Sequence, residues 1–412
     1  MLIDRITDAR IPGRASACDV HLEHGRVAAL GEPGLSVTDI ANGAQGAEGS
    51  ATLDARGRVV LPAFVDAHVH LDKAFMLCAA EAQGPLSPHL DAAIAAVAAL
   101  RGSMSLDAVR AAAERAVDVL VRNGTTAARA HVEIDPAVGL SLVHLHRALA
   151  AVVAERIELQ LVAFPQRGLE APGMVGLFAA AMSEGLDVVG GCPYVDADPA
   201  RHLDVVFALA ERHGAPVDLH LDFSDDPARS LLALVAERTR AHGMAGQVTI
   251  GHVTTLAAMR SDARSAALDL LTKAGIALVV LPATDLYLAG HGEPGTRSLA
   301  PLEHARAAGV RVAIANNNLG NPFAPFGNGS LVQAAWLAGI VQRASSPAAR
   351  RGLLDAITRA PAAILGLGDH GPCAGAGAHL ALLDAHEVDD VVLQAPPVLA
   401  TVRGGRLVHA LR

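Results

Sequence analysis

The sequence predicts an α/β chain: a (β/α)8 TIM barrel carrying a small β-sandwich domain built from both termini. Three observations lead there. Between about residues 59 and 320, short β-branched runs alternate with longer helical ones, and eight runs read as strands. Apolar strands that alternate with helices imply a parallel sheet, and eight such units favour closure into a barrel. The two ends of the chain read instead as strand–turn–strand, around Glu23–Gly25 in DVHLEHGRVAALG and around Gly404-Gly405 in ATVRGGRLVHA. The expected division is therefore a small β domain from 1–58 and 372–412, and a barrel over 59–371.

The expected strands are 59–70, 125–133, 157–164, 187–194, 217–222, 247–253, 277–282 and 310–317. The clearest helix is 106–122, LDAVRAAAERAVDVLVR, which puts Val109, Ala113, Ala116, Val117 and Leu120 on one face. Ser105 is placed to cap its start, and Asn123-Gly124 to close it. Similar helices fit 199–213, 227–242 and 262–274. The Gly/Ala/Ser-rich stretch 33–53 reads as a surface loop.

Composition narrows the function. The chain has 412 residues, 51 % of them apolar but only 3 % aromatic, so its core must be built from Ala, Val and Leu. A net charge of −9 without a basic stripe argues against a nucleic-acid partner. Cys18, Cys78, Cys192 and Cys373 show no CxxC spacing, which suits a reducing cytoplasm rather than a zinc ribbon or a disulfide framework. The N-terminus MLIDRITDAR carries acids and does not read as a signal peptide. No uninterrupted apolar run approaches the ~18 residues a membrane span needs.

The chemistry is announced by His68-Val69-His70, at the end of the apolar run LPAFVDAHVHLDKAF. Side chains two apart on a strand share a face, so both imidazoles should aim at one point, as ligands of a divalent metal do. Active sites of such barrels form at the C-terminal strand ends. The other candidates there are His131, Gln166, the pair His220 and Asp222, His252, and the run Asn316-Asn317-Asn318. A lone buried histidine is more often a hydrogen-bonded core residue than a ligand, and His131 is read that way. His220 gains from its neighbours, and His252 suits a catalytic acid or base better than a ligand. If the fifth strand reaches Asp222, that carboxylate points at the site and is a second candidate base. Asp72 and Lys73 read as a buried pair or a pocket rim. Two motifs are set aside. His144-Leu145-His146 lies in a helical pattern, where i and i+2 do not share a face. The literal GxGxxG at 366–371 follows a helix-like run rather than a strand.

The stretches FVDAHVHLDKAF, ARAHVEID, LQLVAFPQRGL, VDLHLDFSDDP, GHVTTLAAM and NPFAPFGNG, with the closing LGLGDHGPCAGAGAHLALLDA, resemble the amidohydrolase superfamily and its cytosine deaminase-like group. The resemblance implies one divalent metal, zinc or iron, on His68, His70 and His220. It implies that His252 activates water or polarises substrate, and that Gln166 hydrogen-bonds a nucleobase-like ring. His131 stands where bimetallic relatives carry a carboxylated lysine, which implies a single metal. Two positions depart from the pattern. Asn317 occupies the place of the aspartate that ends the eighth strand, and Phe223 that of a proton-shuttling glutamate. An amide cannot take a proton, and loss of a general base typically costs about 10²–10⁴-fold.

The expected protein is thus a mononuclear metal-dependent amidohydrolase or deaminase acting on a C–N bond of a small nitrogen heterocycle or cyclic amide. His252, Asp222 or Asn317 would serve catalysis, and Gln166, Asn318, Phe323 and Phe223 would contact the small-molecule substrate. A homo-oligomer is expected. The alternative is an impaired homologue that binds a ligand or partner without efficient hydrolysis.

Overall fold

The computed structural model describes residues 1–32, 51–290, 297 and 299–411. Eight strands run parallel in sequence order: Phe64–Val69, Thr125–Glu133, Glu158–Phe164, Val188–Gly191, Val217–Leu221, Val248–His252, Ile276–Val280 and Val312–Ile314. The seam between eighth and first is closed by Asn317. Its N–H donates to the His68 carbonyl at 2.8 Å, and its carbonyl accepts from the His70 N–H at 2.8 Å. Ala362 and Leu365 pack with Val65, Ala67, Ala313 and Ala315 near this seam.

The expected first strand is in fact two. Val59–Pro62 pairs antiparallel with Leu380–Leu383 of the C-terminal sheet, and only Phe64–Val69 enters the barrel. Pro62, which has no N–H to give a ladder, ends the outer piece. The terminal sheet thus reaches Pro62 rather than stopping at 58.

Two four-stranded sheets flank the barrel. One joins Ile3–Ala9, Cys18–Glu23, Arg26–Gly31 and Ala51–Asp54; the other joins Val59–Pro62, Leu380–Leu383, Val398–Arg403 and Arg406–Ala410. Their shared core includes Ile6, Val20, Val27, Val60, Leu382 and Val402. Both expected hairpin turns form, with positive φ at His24 and Gly25 and at Gly404 and Gly405, the backbone a tight two-residue hairpin needs. Residues 51–53 of the expected loop are strand; the rest of that stretch lies outside the described residues.

The helix Leu106–Arg122 forms as expected. The Ser105 side chain accepts from the Ala108 N–H at 3.2 Å, and Val109, Ala113, Ala116, Val117 and Leu120 are buried. Gly124, with φ of 86°, turns the chain into the second strand. A Cβ there would stand 2.9 Å from the Phe64 ring, so only glycine fits. Pro199–His213 likewise forms over its full expected length, with Asp198 capping its start and Gly214 in the left-handed conformation at its end. Among the described residues no helix is long and apolar enough to cross a membrane.

Candidate active site

Three histidines converge at the C-terminal mouth of the barrel. His68 and His70 leave the end of the first strand, and His220 stands on the fifth, all nearly inaccessible. The Nε2 atom of His220 lies 3.1 Å from Nε2 of His68 and 3.1 Å from Nε2 of His70. One ring nitrogen offers a single hydrogen-bond role, so ordinary hydrogen bonding leaves one of these contacts unexplained. A shared cation would bring ring nitrogens to such distances. With metal–nitrogen bonds of ~2.0–2.1 Å, neighbouring ligand nitrogens lie about 2.9 Å apart at a right angle and about 3.4 Å apart at a tetrahedral one. Burial, reinforced by neighbouring imidazoles and, for His68 and His70, by Lys73, holds all three histidines well below the ordinary imidazole range, so each presents a lone pair. Among the described residues two sets of three have ring nitrogens all within 4.8 Å of one another: His68, His70 and His131, and His68, His220 and His252.

Asn317 lines the same cavity. It is 1 % exposed, sits at φ of 62°, and its Oδ1 is buried without a hydrogen-bond partner. A buried acceptor left unpaired costs roughly 1–3 kcal/mol, which a donor or a cation in that cavity would offset. The donor set of three neutral imidazoles and one amide oxygen therefore fits a divalent ion.

His252 ends the sixth strand, and its Nδ1 lies 2.6 Å from Oδ1 of Asp285. The pairing puts the proton on Nδ1 and leaves the Nε2 lone pair for other work. Asp285 stands on the short helix Pro282–Leu288 after the seventh strand and is fully buried. Sequence reasoning missed it; the signal was an acid inside the apolar run LPATDLYL.

Asp222 does not play the part expected of it. The strand ends at Leu221, and Asp222 turns to φ of 49°, so the two-residue alternation from His220 is broken. Its carboxylate accepts from Ser230 Oγ at 2.5 Å, the Leu231 N–H at 2.8 Å and Thr255 Oγ1 at 3.0 Å. It is a loop anchor. The bond to Leu231 also explains why the expected helix 227–242 starts at Leu232, after a separate turn at Pro227–Arg229.

The inward residue before His220 on its strand is another that sequence reasoning missed. Asp218 is fully buried and accepts from Arg129 Nη1 at 2.7 Å, and its Oδ1 lies 3.3 Å from His131 Nε2. Burial works to raise its carboxyl; His131 and Arg129 overcome that and hold it below the ordinary range. His131 stacks on His68 with ring centroids 3.9 Å apart. The hydrogen-bonded role expected for His131 thus has a partner, and the pair braces His68 from behind.

Gln166, Phe223, Asn318 and Phe323 line the cavity beside His70, His220, His252 and Asn317. Phe223 meets His252 edge-on at 5.0 Å. Asn318 is fixed through its Oδ1 by Asn321 Nδ2 at 2.7 Å. Asp72 and Lys73 do not pair. Arg101 takes Asp72 at 2.6 Å, while Lys73 Nζ donates to Gln166 Oε1 at 2.5 Å. Of the motifs set aside, His144 and His146 lie on the helix Ser141–Val153, with His144 exposed and His146 buried, and 366–371 follows the helix Arg359–Ile364.

The amidohydrolase family model matches residues 80–409. The chain belongs to the amidohydrolase family. This amidohydrolase is 28 % identical to a pterin deaminase of Rhizobium rhizogenes over 373 residues, covering 87 % of this chain and 82 % of the relative. It is 26 % identical to N-isopropylammelide isopropyl amidohydrolase of Pseudomonas sp., covering 86 % and 87 %. Among solved structures, 5-methylcytosine deaminase from Klebsiella pneumoniae liganded with phosphonocytosine superposes with a TM-score of 0.89 at 28 % identity, over 99 % of this chain and 98 % of that one. The match to N-isopropylammelide isopropylaminohydrolase from Burkholderia multivorans has a TM-score of 0.84 at 28 % identity, over 98 % of both.

Proposed function

We propose that this amidohydrolase uses one divalent metal, zinc or iron, to hydrolyse a C–N bond of a small nitrogen heterocycle or cyclic amide. The observation that carries the reading is the convergence of His68, His70 and His220, with two 3.1 Å contacts meeting at one nitrogen. The named relatives support the substrate class, since they are a pterin deaminase, an ammelide amidohydrolase and a 5-methylcytosine deaminase.

His68, His70 and His220 would hold the ion, with the Asn317 amide oxygen as a further donor. When bound, such an ion supplies Lewis acidity and lowers the pKa of water toward neutrality. The rest falls to the chain. Asn317 cannot accept a proton, and Asp222 is committed to its own loop, so the base is His252. Its Nε2 takes the proton of the attacking water and returns it to the departing nitrogen, while Asp285 steadies the imidazolium through Nδ1. Gln166 and Asn318 orient the ring, and Phe223 and Phe323 give it apolar walls. A cytoplasmic homo-oligomer belongs to the same proposal; light scattering tests the assembly.

The test is a panel of aminated and cyclic ureide heterocycles offered to the metal-replete chain, read by release of ammonia or amine. Hydrolysis of at least one compound, abolished by His252→Ala, is the expected result. A metal-loaded chain that hydrolyses none of them, and gains activity only as Asn317→Asp, would favour the impaired homologue.

A further inference from the structure

Lys73 is the charged group beside the site that the mechanism leaves idle. It is 1 % exposed and lines the cavity with Gln166 and Phe323. Its ammonium has three donors, and the hydrogen bond to Gln166 Oε1 uses one of them. Among the described residues no carboxylate forms an ion pair with it. The nearby acids are taken: Arg101 Nη2 stands 2.6 Å from Asp72 Oδ2 and 2.7 Å from Glu133 Oε2. Lys73 therefore balances the charge of this cluster, two acids against two bases, without touching either acid. Phenyl rings flank it, with Nζ 5.4 Å from the centroid of Phe164 and 5.1 Å from that of Phe323. The rings and the Gln166 oxygen ease the burial of this ammonium, and its remaining donors are satisfied where a ligand supplies oxygen.

The pairing also changes what Gln166 can offer. An ammonium can only meet the amide oxygen, so the bond turns Oε1 toward Lys73 and leaves the Nε2 amino group for a ligand. Lys73 and Gln166 together then present mainly donors. We infer that Lys73 is a specificity-determining residue that, with Gln166, selects heterocycles presenting an oxyanion or acceptor-only carbonyl edge, as the anion of a cyclic ureide does. A neutral aminopyrimidine has no charge to set against the ammonium, whereas charge-assisted hydrogen bonds are roughly twice as strong as neutral ones.

The inference rests on the heterocycle reading above, and its test reads binding rather than turnover, so the two can fail separately. The metal-loaded protein is titrated calorimetrically at neutral pH with barbiturate, which is anionic there, and with cytosine, which is neutral. The wild type is expected to bind barbiturate at least tenfold more tightly. Lys73→Met is expected to lose that preference, weakening barbiturate about tenfold and leaving cytosine within twofold, with metal content unchanged. A wild type that shows no preference overturns the proposal. So does a Lys73→Met protein that keeps the preference, or one that weakens both ligands equally, as a purely structural lysine would. Should Lys73→Met not fold, Gln166→Leu and the wild-type comparison decide: Gln166→Leu must narrow the preference, and an unchanged ratio counts against the inference.

Discussion

Asp285 reaches across from the short helix after the seventh strand to hold Nδ1 of His252, at the end of the sixth, 2.6 Å from its carboxylate. The contact decides which histidine nitrogen carries a proton and which can accept one. His252 and the following Val253 both sit at positive φ, 71° and 50°. A β-branched residue in that region is a true outlier, and such strain, of order 1–3 kcal/mol per residue, clusters at functional sites. Asp222 and Asn317, at other strand ends on the same rim, share the conformation.

Asp285→Asn keeps the shape but lets His252 adopt the wrong tautomer. Hydrolysis is expected to fall by about 10²-fold or more, with metal content unchanged. Steady-state rates beside elemental analysis check both halves; equal activity in the two proteins would remove Asp285 from the mechanism.

Asn317→Asp places a carboxylate where the chain has an unpaired amide oxygen. Aspartate tolerates the left-handed backbone about as well as asparagine, so the fold should survive. With His252 serving as the base, kcat on whichever heterocycle the wild type accepts is expected to rise by less than the ~10²–10⁴-fold a general base contributes. A rise within that range would show that the base was missing and that His252 does not serve as one.

Arg129 is almost wholly buried and spans the barrel interior, meeting Asp218 at 2.7 Å, Gln160 at 2.8 Å and Thr249 at 3.2 Å. Arg129→Met leaves the Asp218 carboxylate buried without its cation. Breaking such a pair costs about 3–5 kcal/mol, and urea unfolding should show a loss of that order. The Arg129→Met, Asp218→Leu double variant should recover part of it.

His379, half-buried beside His370 and Arg403, is pushed down to about 4 from an ordinary 6.5, chiefly by burial. The unfolded chain therefore binds a proton at this residue, between those two values, that the folded chain refuses. Its contribution is full above pH 6.5 and is lost as pH falls through that window toward 4. Thermal unfolding of His379→Gln should show a shallower loss of Tm between these limits. An identical slope would mean that other groups carry the acid sensitivity.

Local pattern was enough to read much of this fold. The helices at 106–122 and 199–213 follow from apolar periodicity with capping residues, which act within one turn of chain. Strands two to eight lie within a few residues of their expected bounds, since β-branched runs set between turns suffice to mark them. The first strand differed because its outer half pairs with residues more than 300 positions away, a choice no local window contains. The convergence of His68, His70 and His220 was legible because strand ends in a parallel barrel share one rim. Asp222 misled because a single left-handed residue reverses a side chain, and nothing in the i, i+2 spacing records φ. Asp285, Asp218 and Lys73 act through partners on other strands, so their roles emerged only once the barrel had closed.

If His68, His70 and His220 hold one ion between them, the metal content of the purified chain will show it. After expression with zinc and iron supplied and exhaustive dialysis, the wild type should retain about one equivalent of divalent metal, and His220→Ala close to none. A wild type holding less than about a tenth of an equivalent, or a His220→Ala protein that holds as much as the wild type, would contradict the account.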